Sequence, residues 1–342
     1  MSNELTQQER KRRINRVIDY IERNLDRPLD LDELASVAPF SKYHFHRIFK
    51  ESIGETLSQF VRRVRLEAAA HLLASHRHMS VGDIAMHSGF SSSQNFAKAF
   101  KKHFAKSPLQ YREFRKEEIE RTVQERRREH LESNSGNAES NSGHILGKNG
   151  NAQNPKEMYS FTEHCPRMEY GVDKTAKEII MGIVIPKPEV KEMPTWHVAY
   201  VRNVGKYCTE NIAPLYDKLM PWAGARGLID KDTVVIGVGW DNPDITPEDK
   251  CRYDAAITVP HGTEVSGDVA LGEVPAGMYA VFRFRLTCDE IALAWQGITR
   301  DWLPQSSFIT DMRPCYEICH NSPEEDPEGK ADIDICLAVR PR

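Results

Sequence analysis

Residues 31–60 and 81–111 carry one pattern twice, and each copy reads as a helix–turn–helix. Leu34-Ala35 is matched by Ile84-Ala85, and Phe40-Ser41 by Phe90-Ser91, each fifty positions on. Past the turn the offset becomes fifty-one: Phe45, Phe49, Ile53 and Gln59-Phe60 correspond to Phe96, Phe100, Phe104 and Gln110-Tyr111. The one-residue slip falls at the turn, where an insertion costs least. Two such helical units in one polypeptide suit two successive grooves of a DNA duplex.

Charge divides the chain in the same place. Residues 1–130 hold 25 Lys/Arg against 18 Asp/Glu, leaving 21 against 32 in the remainder, so a basic front is joined to an acidic back. That asymmetry suits a nucleic-acid module followed by a part that does not touch phosphate. No signal-peptide-like stretch opens the sequence, and the longest apolar run, Ile179 to Ile185, is far shorter than the roughly 20 residues a bilayer span needs. A cytoplasmic, bacterial protein with no membrane partner is expected. All seven cysteines lie between Cys165 and Cys336, odd in number and without a CxxC pair, which suits reduced thiols better than a disulfide framework.

Helical spacing of Ile14, Val17, Ile18 and Ile21 predicts a first helix that Pro28 ends, and Asp30 with Glu33 predicts a capping-box-like start to the next. Leu57, Phe60, Val61, Val64, Ala68 and Leu72 stripe a longer helix, a rod of about 30 Å joining the two copies. A charged helical extension from Glu117 to Glu129 leads into an Asn/Ser/Gly-rich stretch expected to be disordered. A linker of that length argues against rigid coupling of the halves unless they touch directly. Beyond it the period changes to strands at 197–201, 234–240, 253–259, 278–286, 316–319 and 333–339, with helices near 211–225 and 288–302. Ala199-Tyr200-Val201-Arg202 is echoed by Ala280-Val281-Phe282-Arg283, and Tyr253-Asp254 by Tyr316-Glu317. The fold class expected is a multidomain chain. An all-α double helix–turn–helix domain precedes an α+β domain of duplicated strand–helix–strand–strand units with a cleft along a pseudo-twofold.

The outer face of the first reader helix presents Tyr43, His46, Arg47 and Lys50; the second presents Ser93, Gln94, Ala97, Lys98 and Lys101. Arg can hold guanine O6 and N7 bidentately, Gln can read adenine, and Lys neutralises phosphate. Each residue alone could equally be an ordinary solvated face. The duplicated arrangement, with matching apolar stripes and basic tips, favours DNA.

These residues carry a resemblance. LDELASVAPFSKYHFHRIFKESIGETLSQFVRRVRLEAAAHLL and VGDIAMHSGFSSSQNFAKAFKKHFAKSPLQYR resemble the DNA-binding domain of the AraC/XylS family of bacterial transcription regulators. The resemblance implies seven helices, with residues around Tyr43/His46/Arg47 and Gln94/Lys98 entering adjacent major grooves. Pro39 departs from the Gly often found in the first turn, and Ala97 weakens the second reader. From about Met158 the chain resembles the GyrI-like small-molecule-binding domain, on VGKYCTENIAPLYDKLMPWA, CRYDAAITVP, DWLPQSSF and RPCYEICHN. That resemblance implies an aromatic cleft with a carboxylate, taking flat or bulky hydrophobic and often cationic compounds. Glu317 is the candidate carboxylate, with Trp240, Tyr253, Tyr279, Phe282, Trp302 and Tyr316 as candidate walls. The competing reading pairs Glu317 with Arg283 or Arg313 and leaves the aromatics as core.

The domains expected are therefore 10–116 for DNA, 117–157 as extension and linker, and 158–342 for the effector. The function expected is a sequence-specific transcription regulator with double-stranded DNA, a small effector and RNA polymerase as partners. It is read as no enzyme and as needing no cofactor. Cys315-x-x-x-Cys319-His320 fits no common zinc spacing, and Pro314-Cys315 lacks the His-Arg that follows the cysteine of alkylation-repair relatives. Two alternatives remain: a GyrI-like hydrolase or sequestering protein for reactive compounds, with Glu317 as acid or base, and a DNA-bending protein with a vestigial sensor.

Overall fold

The computed structural model describes residues 2–38, 40–76, 78–134, 183–324 and 326–342. The expected disordered linker and the expected start of the second domain at 158 lie outside the described residues, as do Pro39 and the Tyr43 side chain.

Seven helices come first: α1 (Ser2–Glu22), α2 (Leu31–Val37), α3 (Lys42–Ile53), α4 (Leu57–Ser75), α5 (Val81–His87), α6 (Ser93–Phe104) and α7 (Pro108–Asn134). The duplication appears element by element: α2 and α5 are seven residues each, α3 and α6 twelve each. Both α3 and α6 end on a left-handed residue, Gly54 at φ 78° and Ala105 at φ 57°. Both following helices start the same way. Gln59 N–H donates to Thr56 Oγ1 at 3.3 Å and Gln110 N–H to Ser107 Oγ at 3.3 Å, while each Gln side chain accepts from the capping residue's N–H. The inserted residue sits in the second turn. There Gly89 at φ 73° is obligatory, because a Cβ would meet the Leu25 carbonyl oxygen at 2.1 Å.

Each copy closes its own core. Phe45, Phe49 and Phe60 pack with Ile14, Val17, Ile18 and Ile21 of α1, while Phe96, Phe100 and Tyr111 pack with Leu66, Ala69 and Leu73. The rod α4 serves both: Leu57, Phe60 and Val64 face the first core, Leu66 to Leu73 the second. Two local expectations are corrected. The first helix stops at Glu22, six residues before Pro28, through a turn in which Asn24 N–H donates to the Ile21 carbonyl. Asp30 makes no side-chain cap, so only half of the expected box forms: Glu33 accepts from the Asp30 backbone N–H while also holding Arg27 and the Tyr20 hydroxyl.

The second part is an antiparallel sheet with helices on one face. Its elements are β1 (Glu189–Met193), β2 (Trp196–Val204), α8 (Thr209–Gly224), β3 (Val235–Gly239), β4 (Arg252–Thr258), β5 (Ala270–Val274), β6 (Gly277–Leu286), α9 (Cys288–Gly297), β7 (Phe308–Thr310), β8 (Cys315–Cys319) and β9 (Ala331–Pro341). The spatial order β1-β6-β9-β8-β3-β4-β2-β5, with β7 on the end of β9, reads as a palindrome of two units joined where β3 meets β8. The strand–helix–strand–strand duplication is thus β2-α8-β3-β4 followed by β6-α9-β8-β9. Topology corrects the proposed echo of Tyr253-Asp254 in Tyr316-Glu317: β4 answers β9, and β8 answers β3.

Alternation divides the sheet residues between two faces. Ala199, Val201, Val235, Tyr253 and Ala255 pack under α8, and Ala280, Phe282, Ile333 and Ile335 under α9. Val198, Tyr200, Ile236, Val238, Tyr279, Tyr316 and Ile318 form a third cluster on the opposite face.

Candidate functional site

On the DNA-binding side, His46, Arg47, Lys50, Ser93, Gln94, Lys98 and Lys101 are exposed and Ala97 is half-buried. Phe45, Phe49, Phe96 and Phe100, on the opposite stripes, are fully buried. Arg47 lies 3.8 Å from Glu51 in an exposed pair, which holds it only weakly. Cations fall in the last turn of each reader, Lys50 in α3 and Lys101 and Lys102 in α6, where they complement the helix dipole.

The second site lies between α8 and α9, over the seam of the two units. β3 and β8 pair there with Gly237 opposite Glu317. Glycine is required: a Cβ at 237 would stand 1.9 Å from the Tyr253 hydroxyl oxygen, which uses that space to approach the carboxylate. Trp295 Nε1 donates to Glu317 Oε1 at 2.6 Å, and the Tyr253 hydroxyl lies 3.5 Å from Oε2. No cation pairs with Glu317 among the described residues. Arg283 is engaged by Asp334 at 3.0 Å, and Arg313 by Asp311 at 3.0 Å, so neither alternative partner is used. Burial pushes the Glu317 carboxyl above its ordinary value, and the two neutral donors offset this only in part. The carboxyl opens into a cleft of about 1110 Å³ that Tyr207, Tyr216, Tyr253, Ile291 and Trp295 also line.

The sequence-derived walls divide. Tyr253 lies beside Glu317. Trp240 lines the cleft edge, but its Nε1 donates at 2.7 Å to Asp254 on the other face. Tyr279 and Tyr316 pack on each other at 4.9 Å between centroids in the cluster of that other face, so strand parity removes Tyr279 as a wall and leaves Tyr316 at the cleft's border. Phe282 and Trp302 are core, edge-to-face at 5.0 Å beneath α9. The residue that sequence reasoning missed is Trp295. Its signal was its place on the Ile291-Ala294-Trp295 stripe of α9, because an inward indole N–H requires an acceptor.

Comparison with known proteins bears on both parts. The GyrI-like small molecule binding domain family matches residues 186–340, and a helix-turn-helix domain family matches residues 34–113. The DNA gyrase inhibitor of Escherichia coli (strain K12) is 32% identical over 157 residues, covering 45% of this chain and 97% of that protein. A Proteus vulgaris protein named "Probable transcription factor PqrA" is 40% identical over 102 residues, 29% of this chain and 83% of its own length. The chain belongs to the AraC-type transcription regulators that carry a C-terminal GyrI-like domain. A solved AraC-type regulator from Chromobacterium violaceum is similar at 28% identity, covering 30% of this chain and 91% of its own, with a TM-score of 0.29. The two family matches combine a DNA-binding domain with an effector-binding domain, and among the described residues no helix is long and apolar enough to cross a membrane.

In this regulator the two domains touch directly. α1 lies against the sheet face opposite α8 and α9. Asp19 forms an ion pair with Arg202 at 2.8 Å and accepts from the Tyr200 hydroxyl at 2.7 Å, while Glu22 pairs with Arg252. Both arginines are fully buried and each has a partner inside its own domain: Arg202 with Asp254 at 2.6 and 2.7 Å, Arg252 with Asp241 at 2.6 and 2.8 Å. Burial opposes the charge on Arg202, but Asp19 and Asp254 outweigh it and hold the guanidinium well above its ordinary pKa. The loop after β3 then reaches the helices: Ile245 packs on the second core, and Lys250 Nζ lies 3.5 Å from the Ile53 carbonyl at the end of α3. On the far side His71 of α4 meets Thr310 at 3.3 Å.

Proposed function

We propose that this regulator reads its operator through Tyr43, His46, Arg47, Lys50, Ser93, Gln94, Ala97, Lys98 and Lys101, and that a hydrophobic cation bound at Glu317 changes its action on transcription. The carrying observation is the unpaired Glu317 in an aromatic cleft: a buried carboxyl with only neutral donors is stabilised as an anion when a cation arrives. Ring faces of Tyr253, Tyr207 and Trp295 supply apolar and cation–π contact around it.

Coupling runs through contact rather than through the linker. Glu317, the Tyr253 hydroxyl and β4 lead to Arg252, and the loop between β3 and β4 ends against both helix–turn–helix copies, at Ile245 and Lys250. An effector that draws on Tyr253 and Glu317 biases this docked arrangement, with RNA polymerase or operator geometry as the readout, in the cytoplasm. Isothermal titration of the full chain with tetraphenylphosphonium tests the site. Wild type binds and Glu317→Gln loses about tenfold or more, equivalent to about 1.4 kcal/mol; equal affinity of the two proteins sinks the assignment. A hydrolytic role for the same carboxyl would appear instead as product from a reactive substrate, abolished in Glu317→Gln with binding retained.

A further inference from the structure

The cleft over Glu317 is not closed by the GyrI-like domain. Its remaining wall is the outer surface of α4 and α7, so the DNA-binding domain faces the same space. Three features of that wall are left over after the domain contacts are counted, and they point to a ligand. Glu67 is 7% exposed and its carboxylate is held by Arg63 at 3.0 Å and by the Thr246 side chain of the sensor loop, yet its Oε1 has no hydrogen-bond partner among the described residues. One turn on, His71 uses Nε2 toward Thr310, but its Nδ1 is buried without a partner among the described residues. On α7, Phe114 stays 43% exposed although it borders the cleft, and Met312 of the sensor, which also borders it, is 49% exposed. Buried polar atoms are ordinarily satisfied, and large apolar side chains left open in a concave place mark a binding surface.

Size adds to the case. At about 1110 Å³ the cleft exceeds the range of roughly 300–1,000 Å³ typical of small-molecule sites, so a compact monocation seated at Glu317 leaves the α4–α7 side empty. We propose that the effector site is composite: an elongated amphipathic dication is clasped between the domains, one charged end at Glu317 and the other at Glu67, its body against Phe114 and Met312. This rests on the reading of Glu317 as the effector carboxylate and extends it to a wall supplied by the DNA-binding domain. Such a ligand touches the rod that spaces the two reader helices, so binding acts on the reader geometry directly.

The test uses the full chain and two probes, tetraphenylphosphonium as a compact monocation and the bis-quinolinium dequalinium as an elongated dication, each titrated calorimetrically. Dequalinium should bind one per chain and more tightly than tetraphenylphosphonium. Phe114→Ala, an exposed change that leaves the cores intact, should weaken dequalinium about three- to tenfold, and Glu67→Gln about tenfold. Both variants should leave tetraphenylphosphonium within twofold of wild type, whereas Glu317→Gln weakens both probes. If Phe114→Ala and Glu67→Gln leave dequalinium unchanged while Glu317→Gln weakens both, the composite site is wrong and the sensor reading stands. If Glu317→Gln changes neither, or neither probe binds wild type, the sensor reading falls and the composite site with it.

Discussion

Asp19→Ala breaks the contact that seats α1 on the sheet. The substitution removes the acceptor of the Tyr200 hydroxyl, at 2.7 Å, and one of the two carboxylates on buried Arg202. A hydrogen bond to a charged group contributes about 1.5–3 kcal/mol. Breaking a buried ion pair outright costs about 3–5 kcal/mol, but Arg202 keeps its two bonds to Asp254, so only a fraction of that is lost. Together these amount to about 3 kcal/mol of docking, a shift of about 150-fold in the docked population. All five tryptophans (Trp196, Trp222, Trp240, Trp295 and Trp302) lie in the sensor, whereas the N-terminal part is helical throughout its elements. Tryptophan fluorescence therefore reports the sensor alone, while far-ultraviolet circular dichroism is weighted toward the helical N-terminal part during urea unfolding. Wild type should give coincident transitions; Asp19→Ala should split them, the helical signal melting first. Asp19→Asn, which can still accept from Tyr200, should fall between. Coincident transitions at the wild-type midpoint in Asp19→Ala would refute the view that this ionic contact holds the domains together.

Two further outcomes are expected. Burial pushes the Glu67 carboxyl up to about 7, against the pull of Arg63. A raised folded-state pKa means that the folded chain holds this proton more tightly. Its contribution is thus complete below about 4.5 and lost as pH rises toward 7, a span of about 3 kcal/mol before other groups are counted. Glu67→Gln should flatten the fall in stability between those values, measured by urea unfolding at several pH values; an unchanged slope contradicts the assignment. Arg47→Ala should cost about 1–3 kcal/mol of affinity for a binding site selected from random duplexes and relax preference at one base position; a uniform loss across sequences would make Arg47 a phosphate contact instead.

Much of the helical half was legible because its information is local and doubled. Phe45/Phe96 and Phe49/Phe100 fix both reader helices by apolar period, and Gln59 and Gln110 mark both following helix starts. Glu317 was legible as a carboxylate set among aromatics. The walls around it were not. A strand's alternation shows which residues share a face, but here helices cover one face and α1 reaches the other, so Tyr279 and Tyr316 looked as eligible as Tyr253. β1 and β5 went unread as strands because their charged and glycine-containing sequences, Glu189–Met193 and Ala270–Val274, lie at sheet edges with little apolar signal. The domain contact was invisible for another reason. Asp19 and Glu22 sit on the polar side of an amphipathic helix, where carboxylates are ordinary, and only the buried arginines 202 and 252 give them a role.

The central claim is that occupancy of the Glu317 cleft and operator binding are energetically linked. Measuring affinity for the selected duplex by fluorescence anisotropy, with and without saturating dequalinium, tests it most directly. Linkage requires a change of about fivefold or more, mirrored by an equal change in dequalinium affinity when the duplex is bound, and absent in Glu317→Gln. Identical operator affinity in both conditions, with dequalinium shown to be bound, would contradict the account.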